Sequence, residues 1–172
     1  MRYDLEYYEK MLRLNSSTAK QICDIRWEWV MNLKPKTVLD FGSGVGWFRA
    51  WRPENVEVYS HDIGPYPQTR AKLIYYDVMC LWDVFEHIPD FRELKPYFSL
   101  TDNVVGTIPL KPDHVSWQDW KHFKPSEHLH YLTKDQLIIL FDEYGFKPKN
   151  FGYPECPPRE DILTFHFQKR VI

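Results

Sequence analysis

Eleven residues constrain this chain more than any other stretch: Thr37 to Trp47, T-V-L-D-F-G-S-G-V-G-W. The run from Thr37 to Phe41 is apolar and follows Pro35, the pattern of a strand buried on both faces. It carries Asp40 and then places Gly42, Gly44 and Gly46 around Ser43 and Val45. Glycines at that density let the backbone turn tightly and let a ligand lie against the main chain. The amides that open the following helix then face that ligand. A strand, a glycine loop and a helix in this order predict an α/β chain with a nucleotide-type loop.

Spacing decides which nucleotide. A dinucleotide fingerprint needs G-x-G-x-x-G, with a glycine or alanine three positions after the second glycine. That position holds Trp47, too large for close helix–strand packing, and Asp40 would repel a pyrophosphate. A ligand carrying an amine and a sulfonium suits D-x-G-x-G-x-G instead. The loop resembles motif I of the class I S-adenosylmethionine-dependent methyltransferases. The resemblance implies a Rossmann-like methyltransferase fold: a mostly parallel central sheet with helices on both faces and a C-terminal antiparallel strand pair. It also implies S-adenosylmethionine as cofactor, held by Asp40, Gly42, Ser43, Gly44 and Gly46.

The 172 residues suffice for one domain with a substantial core, and residues 1–172 are read as a single methyltransferase-like domain. The formal charge of −2 comes without the Lys/Arg cluster of a nucleic-acid footprint. No apolar run reaches membrane-spanning length, and Met1-Arg2-Tyr3-Asp4 does not open a signal peptide. Cys23, Cys80 and Cys156 are odd in number and far apart, which argues against a disulfide framework. The expectation is a cytoplasmic protein with no membrane partner.

Along the chain, residues 4–14 and 17–32 read as helices within an N-terminal segment 1–34. In similar methyltransferases such helices also close over the cofactor, which makes Tyr7, Tyr8, Lys20 and Arg26 candidates. A short helix at 45–52 stops at Pro53. Val56–Ser60 is the second strand. Asp62 follows 22 residues after Asp40, close to the interval at which Rossmann-type folds place the acid that holds the ribose hydroxyls. Tyr76 to Pro89, Y-D-V-M-C-L-W-D-V-F-E-H-I-P, resembles the family's fourth-strand motif, typically D-x-V-x-x-x-x-V-L-E-H. By that resemblance Trp82 touches the cofactor and Asp83 faces the reaction centre.

One stretch departs from the family. Only residues 63–75 separate Asp62 from that strand, and thirteen residues with two prolines cannot hold a crossover helix and another strand. The third strand region is therefore expected to be reduced or missing. Adenine would then be held differently, with Ile63, Pro65 or Tyr66 as candidates. The other parse makes Ala71 to Asp77 the third strand and Asp77 the adenine acid, but leaves the fourth strand without a sequence. A dimer could cover the edge exposed by the deletion.

Residues 91–98 make a short helix and Asn103–Ile108 the next strand. Residues 110–132 form a long aromatic loop, read as a substrate lid. Thr133-x-x-Gln136 is a capping box for a helix at 134–144. Strands at 147–153 and 162–169 complete the family pattern over residues 37–170.

Methyl transfer needs in-line placement and, for oxygen or nitrogen acceptors, a base titrating near neutrality. His87 is the candidate catalytic residue, and Trp117, Trp120, His128 and His130 the candidate acceptor contacts. His114, His122, His128 and His130 with Asp113 and Glu127 show no recognised ligand spacing, so no metal is assigned. The [DNS]-P-P-[YFW] motif of amino-methylating DNA enzymes is missing after the fourth strand: Leu81-Trp82-Asp83-Val84-Phe85 stands there. The expected acceptor is a small molecule or glycan, methylated on oxygen or nitrogen, and not DNA. A degenerate, non-catalytic domain is the alternative. A nicotinamide oxidoreductase fails on Trp47 and on the missing second nucleotide-binding half.

Overall fold

The computed structural model describes residues 5–12, 16–63, 72–157 and 159–171. Two helices, α1 (Leu5–Leu12) and α2 (Ser16–Met31), precede β1 (Thr37–Phe41), α3 (Trp47–Ala50) and β2 (Glu57–His61). Then come β3 (Val78–Trp82), a 3-10 turn at Phe85–His87, and a second at Phe91–Leu94 that runs into α4 (Lys95–Phe98). The chain closes with β4 (Asn103–Pro109), α5 (Lys134–Glu143), β5 (Phe146–Gly152) and β6 (Ile162–Lys169).

The six strands form one sheet in the order β2-β1-β3-β4-β6-β5. The first four are parallel, and β6 lies antiparallel between β4 and β5. β1 therefore has β2 on one side and β3 on the other, so the chain reverses its direction of travel across the sheet there. A crevice opens beyond the carboxyl ends of strands at such a switch point.

Side chains alternate across the sheet and build two cores. In β3, Val78, Cys80 and Trp82 face α2 and α3, packing with Cys23, Trp27, Val30 and Phe48. Met79 and Leu81 face the other layer, with Leu94, Phe98, Leu137 and Phe141. All five residues of β3 are buried, as a parallel strand covered on both faces requires. Trp27 stacks on Phe48 at 4.1 Å and donates its indole N–H to the Phe48 carbonyl, fixing α2 against α3.

The shortened connection is real. Among the described residues between β2 and β3 there is no further strand or helix; Tyr76 makes a lone bridge to Thr101. Asp77 does not hold adenine. Its Oδ2 accepts from the Lys36 and Thr37 amides at 2.7 and 2.9 Å, pinning the amino end of β1, opposite the crevice. Pro65 and Tyr66 lie outside the described residues. The expected helix at 45–52 shrinks to four residues, because Gly46 at its start takes φ 82° and the chain turns at Trp51 before Pro53. β2 and β5 each sit one residue away from their expected bounds, and the strand read from Asn103 extends to Pro109.

Candidate active site

A cavity of about 780 Å³ occupies the crevice at the carboxyl ends of β1, β2 and β3. Its floor is the glycine loop. Gly42 has φ 76°, and a Cβ there would lie 2.4 Å from Val84 Cγ2, so neither the conformation nor the space admits a side chain. The amides of Gly42 and Ser43 both donate to the His61 carbonyl, at 2.7 and 3.0 Å, which ties the loop to the end of β2. The next residue, Asp62, accepts from the Gly44 amide at 2.7 Å and from the Tyr8 hydroxyl at 2.5 Å.

Helices α1 and α2 roof the cavity through Tyr8, Met11, Thr18, Ile22 and Arg26. Lys20 does not join them; it pairs with Asp24 on the surface. The side chain of Tyr7 lies outside the described residues.

Beyond β3, Asp83 takes φ 57°, a left-handed turn tolerated by aspartate. Its carboxylate accepts two bonds from Arg159, at 2.8 and 2.9 Å, and one from Arg26 at 2.7 Å. Both guanidiniums also bind Glu155, at 2.7 Å each, and Glu155 is fully buried. Two acids and two bases thus form a closed network. Burial alone would raise the Asp83 carboxyl, but Arg159 and then Arg26 outweigh it and hold it well below the usual range. Arg26 also lies over the Trp82 ring, 4.9 Å from its centre.

Several buried polar atoms on or beside the cavity wall have no partner: Asp40 Oδ2, Ser43 Oγ and Trp82 Nε1. Each such atom costs about 1–3 kcal/mol unless something binds it. Burial pushes Asp40 up to about 7, with Arg26 opposing and Asp62 adding. These three atoms and Asp62 suit a ligand with an amino-acid end and a sugar diol.

Of the residues expected at the cofactor, Asp40, Gly42, Ser43, Gly44, Asp62, Ile63, Trp82 and Asp83 line the cavity. Gly46 is not among the lining residues; it starts α3 beneath them. His87 lines the far end, with Ile88, Leu94 and Tyr97. Its Nδ1 donates to the Glu127 carbonyl at 2.9 Å, since a carbonyl only accepts, so a neutral ring carries its lone pair on Nε2.

The expected acceptor contacts stand apart from the cavity wall. None of Trp117, Trp120, His128 and His130 is among the residues lining the cavity. The loop 110–132 contains no helix or strand, and it is stapled behind the 3-10 turn after β3. Leu129 and His130 amides donate to the Glu86 carbonyl at 2.7 and 3.3 Å, and His130 Nε2 donates to the Ile88 carbonyl at 2.8 Å. Trp117 packs on Trp120, Phe123 and Tyr131, within the loop itself. Sequence reasoning missed Glu155 and Arg159. Their i, i+4 spacing lies in a Pro-rich connection that carries no motif.

A parallel sheet with its crevice at the switch point, a D-x-G-x-G-x-G floor and an acid at the end of β2 define a class I S-adenosylmethionine-dependent methyltransferase. Residues 14–149 match the model of a methyltransferase-domain family, and the chain belongs to that family. S-adenosylmethionine is its cofactor. Among solved structures, magnesium protoporphyrin IX methyltransferase from Synechocystis PCC 6803 with bound SAH is similar at TM-score 0.63 and 17% identity, over 90% of this chain and 84% of that one. The methyltransferase domain of a bacterial Hen1 is similar at TM-score 0.61 and 15% identity, over 90% and 100%. The 16S rRNA methylase ArmA is similar at TM-score 0.53 and 16% identity, over 95% and 91%. At these identities the likeness speaks for the fold alone. No curated protein matches the chain in sequence.

Proposed function

We propose that this enzyme methylates an oxygen or nitrogen of a small molecule or glycan. The observation that carries the acceptor class is the charge of the cavity wall. Its only cations among the described residues, Arg26 and Arg159, are both committed to Asp83 and Glu155. A nucleic-acid substrate needs cations for its phosphates, since those contacts supply most of its affinity. The far end of the cavity is instead apolar and aromatic around His87, which suits the body of a small molecule.

In this reading Asp62 takes the ribose hydroxyls in competition with Tyr8, and Asp40 and Ser43 take the amino-acid end. Trp82 and Ile63 flank the cofactor, and Asp83 keeps the wall rigid through its arginines. When bound, the sulfonium offers its methyl group to a nucleophile approaching in line. His87 stands at the acceptor end as the catalytic candidate, its Nδ1 held by the Glu127 carbonyl.

Calorimetric titration with S-adenosylmethionine and S-adenosylhomocysteine comes first, on the wild type and on Asp62→Ala. Micromolar binding that weakens at least about tenfold in the variant is expected. Release of S-adenosylhomocysteine is then followed with panels of hydroxyl- and amine-bearing small molecules and glycans, and with ribosomal RNA. Turnover on RNA alone would overturn the acceptor class. With a small-molecule acceptor, His87→Gln should lower kcat about a hundredfold.

A further inference from the structure

Behind the cavity, Glu86, His87 and His128 converge: one donor atom of each lies within 4.8 Å of the others. Two of these residues are almost wholly buried, Glu86 at 2% and His128 at 7% exposure. Glu86 Oε2 and His128 Nδ1 have no hydrogen-bond partner. A buried carboxylate and a buried imidazole in one cluster, each with an orphaned atom, are expensive unless something binds them. Rings His87 and His128 meet edge to face, 4.9 Å apart, without a hydrogen bond between them.

We propose that Glu86, His87 and His128 bind one divalent transition-metal ion at the acceptor end of the cavity. The donor set is two imidazoles and a carboxylate. It matches sites for zinc or iron(II), whereas magnesium and calcium favour all-oxygen cages. Metal–ligand bonds of about 2.0–2.2 Å set the donor atoms roughly 3.3–3.6 Å apart around a tetrahedral ion, so binding draws the three side chains together by about 1 Å. The supporting shell is already built. His87 Nδ1 is fixed on the Glu127 carbonyl, the arrangement that orients an imidazole toward a metal. His128 is held over Glu86 by the Leu129 and His130 amides on the Glu86 carbonyl. The neighbouring Asp83 carboxylate is neutralised by Arg26 and Arg159. His87 alone of the three lines the cavity, so the remaining coordination positions are left for water or an acceptor oxygen. With the ion bound, His87 Nε2 serves as a ligand and not as a proton acceptor. The ion's role toward an acceptor rests on the methyl-transfer reading; the ion site itself does not.

The test is titration of tag-free full-length protein with Co²⁺, read by visible absorption, with Zn²⁺ as competitor. Glu86→Gln and His128→Gln follow the wild type, and S-adenosylmethionine binding is measured on the same samples. Expected are one equivalent of Co²⁺, displaced by Zn²⁺, affinity at least about tenfold weaker in each variant, and cofactor binding within threefold of wild type. No Co²⁺ spectrum in the wild type, or undiminished binding in both variants, would overturn the site. Should the variants misfold, Mn²⁺ added to the wild type decides by NMR. Broadening centred on the His87 and His128 rings supports the site, and broadening elsewhere overturns it. Loss of cofactor binding with Co²⁺ binding intact would sink the methyl-transfer reading and leave the ion site standing.

Discussion

The two ends of the cavity are built by different means. The cofactor end comes from one short stretch and its neighbour: Asp40 to Gly46, closed by Asp62 through bonds spanning 18 residues or so. The acceptor end is assembled from parts that are remote in sequence. Arg26 reaches Glu155 across 129 positions, Arg159 reaches Asp83 across 76, and Glu127 orients His87 across 40. The first end is local backbone chemistry and the second is tertiary chemistry. One can be damaged without the other, and four substitutions test that separation.

The largest effect is expected at Glu155, fully buried between two guanidiniums. Glu155→Ala leaves two arginines facing one aspartate and should cost about 3 kcal/mol or more of stability. Chemical denaturation measures it, and a loss below about 1 kcal/mol would mean the network is wetter than its geometry suggests. Gly42→Ala comes next. A left-handed φ costs an L residue about 1–2 kcal/mol, and the clash with Val84 adds to it. Stability and cofactor affinity should fall together there, because Val84 joins the loop to the turn after β3.

A purely cofactor-end change is Asp40→Asn. Burial raises the Asp40 carboxyl to about 7, above its unfolded value, so the native chain binds that proton more tightly than the unfolded chain does. Stability of the cofactor-free protein should therefore fall as pH rises from about 4 to about 7. Affinity for the cationic cofactor should move the other way, rising about tenfold between pH 6 and 8 as Asp40 ionises. The asparagine variant should lose both trends, which titration calorimetry at several pH values checks. The smallest effect belongs to neither end. Thr133→Ala removes the cap of α5, where Thr133 Oγ1 accepts from the Gln136 amide and Gln136 answers the Thr133 amide. It should cost about 1 kcal/mol and leave cofactor binding unchanged.

The same division explains what the amino-acid sequence discloses. Asp40, the glycines and Asp62 could be read because loop geometry imposes residue type at fixed spacing. The shortened connection after Asp62 was legible from length alone, since thirteen residues cannot hold a crossover. Trp82 and Asp83 were found by resemblance, yet Asp83's engagement with two arginines was not, because nothing near Arg159 marks its destination. The aromatic loop 110–132 was less legible, for a physical reason. Trp117, Phe123 and Tyr131 are spent on packing with one another, and composition cannot say whether rings face a ligand or each other.

The place of β6 has a consequence for how the chain is made. It pairs with β4 along seven residues, in the interior of the sheet, yet it is the last of the six strands to be synthesised. From Pro109 to Ile162 the growing chain carries β4, N-V-V-G-T-I-P, with one edge unpaired. At about 5–20 residues per second that edge stays open for roughly 3–10 s. A flat apolar strand with a bare edge is a template for pairing with any other chain. A strand interior to the finished sheet is thus, during translation, open to mispairing.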